Sequence, residues 1–196
     1  ESEIYCGRLL YQKRGFPLYV PDPQRNLPEE YRASGVRTGD VGRVTPEGGF
    51  DPLFNIYYSS EDPINSRGVP EGFTPLPWYL DEDLTLLDHE PGGYVSTPSI
   101  QESDLDSSAR YIFPLTALLA LPHGSHLERL ENLESMRRYA AKNAENWYKY
   151  INAPEGRGRG LANGSLYLIT GWEKSQSWGM ATFQNVTAER EFQLSF

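Results

Sequence analysis

Residues 125–151, "SHLERLENLESMRRYAAKNAENWYKYI", constrain this chain more than any other stretch. Leu127, Leu130, Leu133, Met136 or Arg137, Ala140, Ala141, Ala144, Trp147, Tyr148 and Ile151 recur at the three-and-four spacing of one helical face. Ser125 followed by Glu128 fits a capping box, in which each side chain satisfies a backbone N–H left free at the helix start. Glu134 with Arg138 and Glu145 with Lys149 are favourable pairs four residues apart. Pro154 and Gly156 end the pattern. The spacing predicts one long amphipathic helix over about 125–151, with its apolar stripe against a sheet.

The sheet is expected on both sides of that helix. Residues 40–58, "DVGRVTPEGGFDPLFNIYY", read as a β-hairpin turning on "PEGG", with Pro52 at a strand edge or bulge. Ile4–Tyr11 reads as an N-terminal strand, and Leu27–Ala33 as a short helical turn begun by Pro28. "YIFPLTALLALP", 111–122, is either a buried strand or a short buried helix, since an uninterrupted apolar run has no period to separate them. "SLYLITGWEKSQ", "SWGMATFQNV" and "REFQLSF" alternate and are rich in β-formers, which predicts three successive strands in an antiparallel meander. The last stops within the strand, so the natural chain is expected to extend past Phe196. The fold class is α+β: a mainly antiparallel sheet, the long helix packed on it, and long loops rich in Pro and acids. It is read as a single domain over 1–196.

Charge is placed unevenly. The net charge is −9, and residues 59–110 alone account for it, with eleven acids against Arg67 and Arg110. This segment is too poor in apolar residues to build much core and is expected as a surface loop. Such a surface repels phosphate backbones, which argues against nucleic-acid binding. The lone cysteine, Cys6, excludes disulfides within the chain. The longest apolar run falls short of a membrane-spanning helix, and the chain reads as cytoplasmic.

Candidate chemistry is sparse. "GRGRGLANG", 156–164, has the glycines of a phosphate loop, but in a phosphate loop a strand precedes the glycines and a helix follows. Here a helix precedes and a strand follows, and the Gly-Lys-Ser/Thr step is missing. Arg157 and Arg159 then read as cations near a helix C-terminus, and the loop as a connector. No cofactor is expected. His123 and His126 invite a zinc reading with His89, or Glu90, as third ligand, although their placement at a helix start need not bring the rings to one face. No metal is expected; were one held, His89, His123 and His126 would be its ligands. Asp81, Glu82, Asp83, Asp88 and Glu90 read as a solvated acidic face rather than a calcium site. Trp147, Trp172 and Trp178 are the ligand-binding candidates if exposed; their spacing also suits the core.

The stretches "GVRTGDVGRVTPEGGFDPLFNI" (35–56), "DPIN" (62–65), "LERLENLESMRRYAAKNAENWYKY" (127–150) and "GRGLANGSLYLITGWEKSQSWGMATFQ" (158–184) resemble a family of uncharacterised proteins abundant in mushroom-forming (basidiomycete) fungi. The resemblance implies an intracellular fungal protein and carries neither an activity nor a functional residue. "SLYLITGWEKSQSWGMATF" is also similar to segments of gasdermin-type pore-forming proteins, where such strands extend into membrane-inserting hairpins. The expectation is a non-catalytic binding module for a protein or small-molecule ligand. A membrane-acting, pore-forming module and a metal-dependent hydrolase using His123, His126 and the 81–90 acids are the alternatives.

Overall fold

The computed structural model of this protein describes residues 1–79, 81–97, 100–102, 108–111, 115–184 and 190–193. In chain order they form α1 (Ser2–Leu9), α2 (Glu29–Ser34), β1 (Asp40–Val44), β2 (Phe50–Asn55), β3 (Leu84–His89), β4 (Gly93–Ser96), β5 (Ile100–Glu102), β6 (Ser108–Tyr111), β7 (Leu115–Leu121) and β8 (Ser125–Leu130). Then follow α3 (Glu134–Asn152), β9 (Tyr167–Leu168), β10 (Gly171–Lys174), β11 (Gly179–Gln184) and β12 (Arg190–Gln193). Helices are thus mixed with antiparallel sheets. The chain divides into two compact units. One comprises 1–19, 87–127 and 173–196, the other 20–86 and 128–172.

In the second unit, β1 pairs with β2 on one side and β9 on the other. The hairpin expected over 40–58 is present. Its turn closes where Gly48 N donates to Thr45 O and Thr45 N to Gly49 O, with Gly48 at φ 87°. The register slips between Val41 and Gly42, so that Gly42 faces Pro52 while Val41 faces Phe54. This is the bulge that a proline, lacking an N–H, requires inside a strand. Gly42 is needed there, because a Cβ would lie 2.5 Å from Asp51 O.

The core of this unit is built on Phe54, whose ring meets Trp147 edge-on at 5.7 Å and Phe73 at 5.9 Å. Met136, Trp147 and Ile151 reach it from α3, and Val41, Leu53 and Ile56 from the hairpin. A second layer under the hairpin is polar. Asp40, wholly buried, accepts from Tyr31 Oη (2.5 Å), Asn55 Nδ2 (2.8 Å) and Arg37 N (2.7 Å). Asn65 Oδ1 accepts from Asn55 N, and Asn65 Nδ2 donates to the carbonyls of Asn55 and Tyr58. Burial pushes the Asp40 carboxyl up to about 6, against the pull of those hydrogen bonds.

The first unit holds the sheets β11-β7-β4 and β12-β6-β5. Tyr5 and Leu9, four apart on one face of α1, pack with Val95, Ala117 and Leu121.

Five expectations are corrected. The helix begins at Glu134, not 125: residues 125–130 form β8, in a sheet ordered β10-β8-β3. Leu130 N bonds Thr170 O and Glu131 N bonds Asp83 O, so pairing overrides the helical spacing of Leu127 and Leu130. Ser125 is therefore no helix cap; its Oγ donates to Glu173. The N-terminus is helical, because the Tyr5–Leu9 spacing decides over β-propensity. The acidic segment contains β3 to β6, since pairing with neighbouring strands supplies their backbone partners, and β3 leaves most of its side chains exposed. No meander forms: β9 pairs with β1, β10 with β8, β11 with β7 and β12 with β6. The apolar run at 111–122 resolves as the strand β7, central in its sheet, with Ala117, Leu118, Ala120 and Leu121 buried. Residues 112–114 of that run, Asp104 and Asp106, and 194–196 of the last expected strand lie outside the described residues.

Candidate functional site

The glycine-rich stretch does more than connect. Helix α3 leaves its last carbonyls without intrahelical partners. The chain folds back over them, so that Arg157 N donates to Tyr150 O (3.0 Å) and Arg159 N to Ile151 O (2.9 Å). Gly156 makes this possible, because a Cβ there would lie 1.9 Å from Tyr150 O. Asn152 and Leu161 close the loop reciprocally, side chain to backbone in both directions.

That fold-back brings the side chains of Arg157 and Arg159 into the second unit beside Asp51. Asp51 is only 3 % exposed and sits on β2, directly across from Arg43 on β1. Arg43 Nε lies 3.3 Å and Arg159 Nη2 3.4 Å from Asp51 Oδ2; Arg67 Nη1 lies 3.8 Å from Oδ1. Arg67 follows a turn at Pro63–Asn65, capped by Asp62 Oδ1 accepting from Ile64 N. Arg157 Nη1 donates to Arg67 O at 2.7 Å, tying the fourth guanidinium to the group.

Three guanidiniums thus pair with one buried carboxylate and a fourth is tied to them through Arg67 O, which leaves the cluster with positive charge in excess even with Glu47 near Arg43. Burial pulls Arg157 below the ordinary arginine value, and the charges of Arg67 and Arg159 add to that against Asp51 and Tyr150. The hydrogen-bond balance is also incomplete. Among the described residues, six buried side-chain polar atoms lack a hydrogen-bond partner, and five of them are here: Asp51 Oδ1, Arg67 Nη1, Arg157 Nε and Nη2, and Arg159 Nε. Nearly all such groups in folded proteins find partners, and each that does not costs about 1–3 kcal/mol, more when charged.

The residues singled out by sequence fall elsewhere. Trp147 is 3 % exposed and fills the helix–sheet interface, as its helical spacing allows. Trp172 is half-buried, and its Nε1 donates to Glu128 Oε1 at 3.0 Å. Trp178 packs on the core of the first unit. The three histidines go to three partners: His89 Nε2 lies 3.9 Å from Glu173, His123 Nδ1 pairs with Ser177 Oγ at 2.6 Å, and His126 Nδ1 with Asp88 at 2.5 Å. Among the described residues no group of three His, Cys, Asp or Glu side chains could hold a metal ion. Glu173 is instead a structural hub, taking Ser125 Oγ and both Nε and Nη2 of Arg14. No helix among the described residues is long and apolar enough to cross a membrane.

Sequence reasoning found Arg157 and Arg159 but assigned them to the helix dipole. Arg43 and Asp51 could have been paired by counting register outward from the "PEGG" turn. Nothing in the sequence signals Arg67. No protein family, curated protein or solved structure matches the chain.

Proposed function

We propose that this chain is a non-catalytic binding module whose second unit takes up a small anion at the arginine cluster. The observation that carries this is the edge formed by Arg157 Nε and Nη2. Both atoms are buried and unpartnered, on the side of the guanidinium that grips two oxygens at once. Asp51 alone cannot neutralise four arginines, and an oxyanion supplies both the missing charge and the missing acceptors. The acidic remainder of the chain favours a small anion over a polyanion, because the net charge of −9 repels extended phosphate polymers.

Thermal unfolding in chloride, acetate, sulfate and phosphate at matched ionic strength tests this reading. A ligand bound by the folded form alone raises stability by about 2.7 kcal/mol at a hundredfold excess over Kd. At least one oxyanion is expected to raise the melting temperature above chloride, and Arg157→Gln to abolish the rise. A melting temperature indifferent to every oxyanion refutes it.

A further inference from the structure

The unpartnered atoms of the cluster are not all donors. Arg157 Nε and Nη2, Arg67 Nη1 and Arg159 Nε each need an acceptor, while Asp51 Oδ1 is a buried carboxylate oxygen without a hydrogen-bond donor. Arg67 Nη1 forms an ion pair with it at 3.8 Å, beyond hydrogen-bond reach. A ligand completing this set accepts four hydrogen bonds and gives one. Resting on the anion-binding reading above, we infer that the ligand is inorganic hydrogen phosphate.

Three properties separate this group from other oxyanions. A carboxylate presents two oxygens in one plane, whereas the donors come from three guanidiniums on two chain segments: Arg67, after the Pro63–Asn65 turn, and Arg157 and Arg159 of the glycine loop. A tetrahedral group offers oxygens in as many directions. Charge is the second property. A dianion offsets more of the positive excess than a monocarboxylate does. The proton is the third. Sulfate is tetrahedral and doubly charged but holds no proton at neutral pH, so one of its oxygens would face Asp51 Oδ1 with nothing between them. Hydrogen phosphate has an O–H to donate to that oxygen, a charge-assisted bond in a site where an unmatched charged acceptor is costly. Asp51 thereby selects for phosphate as well as aligning Arg43 and Arg159.

Calorimetric titration of the intact chain at neutral pH with phosphate, arsenate, phenyl phosphate, sulfate and acetate tests this. Phosphate and arsenate, both protonated there, are expected to bind at least tenfold more tightly than sulfate or acetate. Phenyl phosphate, a monoester largely without its proton at neutral pH, is expected to bind as weakly as sulfate, and binding as tight as phosphate overturns the inference. Sulfate binding equal to phosphate and arsenate overturns the inference but leaves an anion site standing. Silence from every probe overturns the anion reading itself. In Asp51→Asn the phosphate-to-sulfate ratio is expected to fall towards one, and a ratio that survives the substitution also overturns the inference. The wild-type comparison of arsenate with sulfate decides the matter should that variant fail to fold.

Discussion

Replacing Asp51 by Asn measures how strongly three arginines are held together by one carboxylate. The shape of the side chain is kept and its charge removed. At the observed separations of 3.3, 3.4 and 3.8 Å, each pair has a gross attraction of about 4–5 kcal/mol at an effective dielectric of ~20. Most of that is repaid as desolvation, and breaking a buried pair from one side typically costs about 3–5 kcal/mol. The arginine side chains keep 24–30 % of their surface exposed, so solvent screens part of what remains. The lower end, about 3 kcal/mol, is the expected loss. For a chain of this size it lowers the melting temperature by roughly 10 °C. Urea unfolding followed by tryptophan fluorescence reads it, because Trp147 is buried in the same unit. The loss should shrink in sulfate, whose charge replaces the carboxylate and no longer meets an aspartate oxygen. A loss below about 1 kcal/mol, or one that sulfate leaves untouched, would mean that the guanidiniums are accommodated without their counter-charge, and the reasoning would fail.

Three further outcomes follow from the same structure. The Asp40 carboxyl titrates at about 6 when folded, above its ordinary 3.8, so the folded chain holds a proton that the unfolded chain releases. Its contribution is full below about pH 4 and is lost as pH rises through 6, by up to roughly 3 kcal/mol, and urea midpoints across that window should lose this slope in Asp40→Asn. Gly156→Ala forces a Cβ onto Tyr150 O and should cost roughly 1–3 kcal/mol by urea titration, while also weakening phosphate binding; unchanged binding would separate the loop from the cluster. Trp147→Ala empties the contact with Phe54 and Tyr139 and should cost about 3–5 kcal/mol with loss of the near-ultraviolet dichroism, whereas a ligand-contacting tryptophan would change binding and leave stability nearly intact.

What could be read from sequence was local. The β1–β2 hairpin was legible because turn chemistry and alternation agree, and Pro52 demanded the irregularity that the register shows. The body of α3 was legible from Met136, Trp147 and Ile151. Its start was not, because "SHLERL" satisfies a helical count equally well and only pairing with distant segments makes it a strand. Where three final strands were expected there are four, because "SLYLITGWEKSQ" holds both β9 and β10, and the partners were missed, since each pairs with a segment far earlier in the chain. The arginine cluster failed for the same reason: Arg43, Arg67 and Arg157 are brought together by the hairpin, the Pro63–Asn65 turn and the fold-back over α3, and no window of sequence contains all three.

Surface loops ordinarily tolerate extra residues. The one after α3 has no such latitude. Its amides at 157 and 159 are spoken for by carbonyls counted from the helix, and the same two residues must send their side chains to one side. Adding or deleting a single residue would keep the composition intact and yet turn one arginine away from Asp51. Spacing, rather than glycine content, is therefore what chains sharing this architecture would have to preserve, and a length variant would separate the two by experiment.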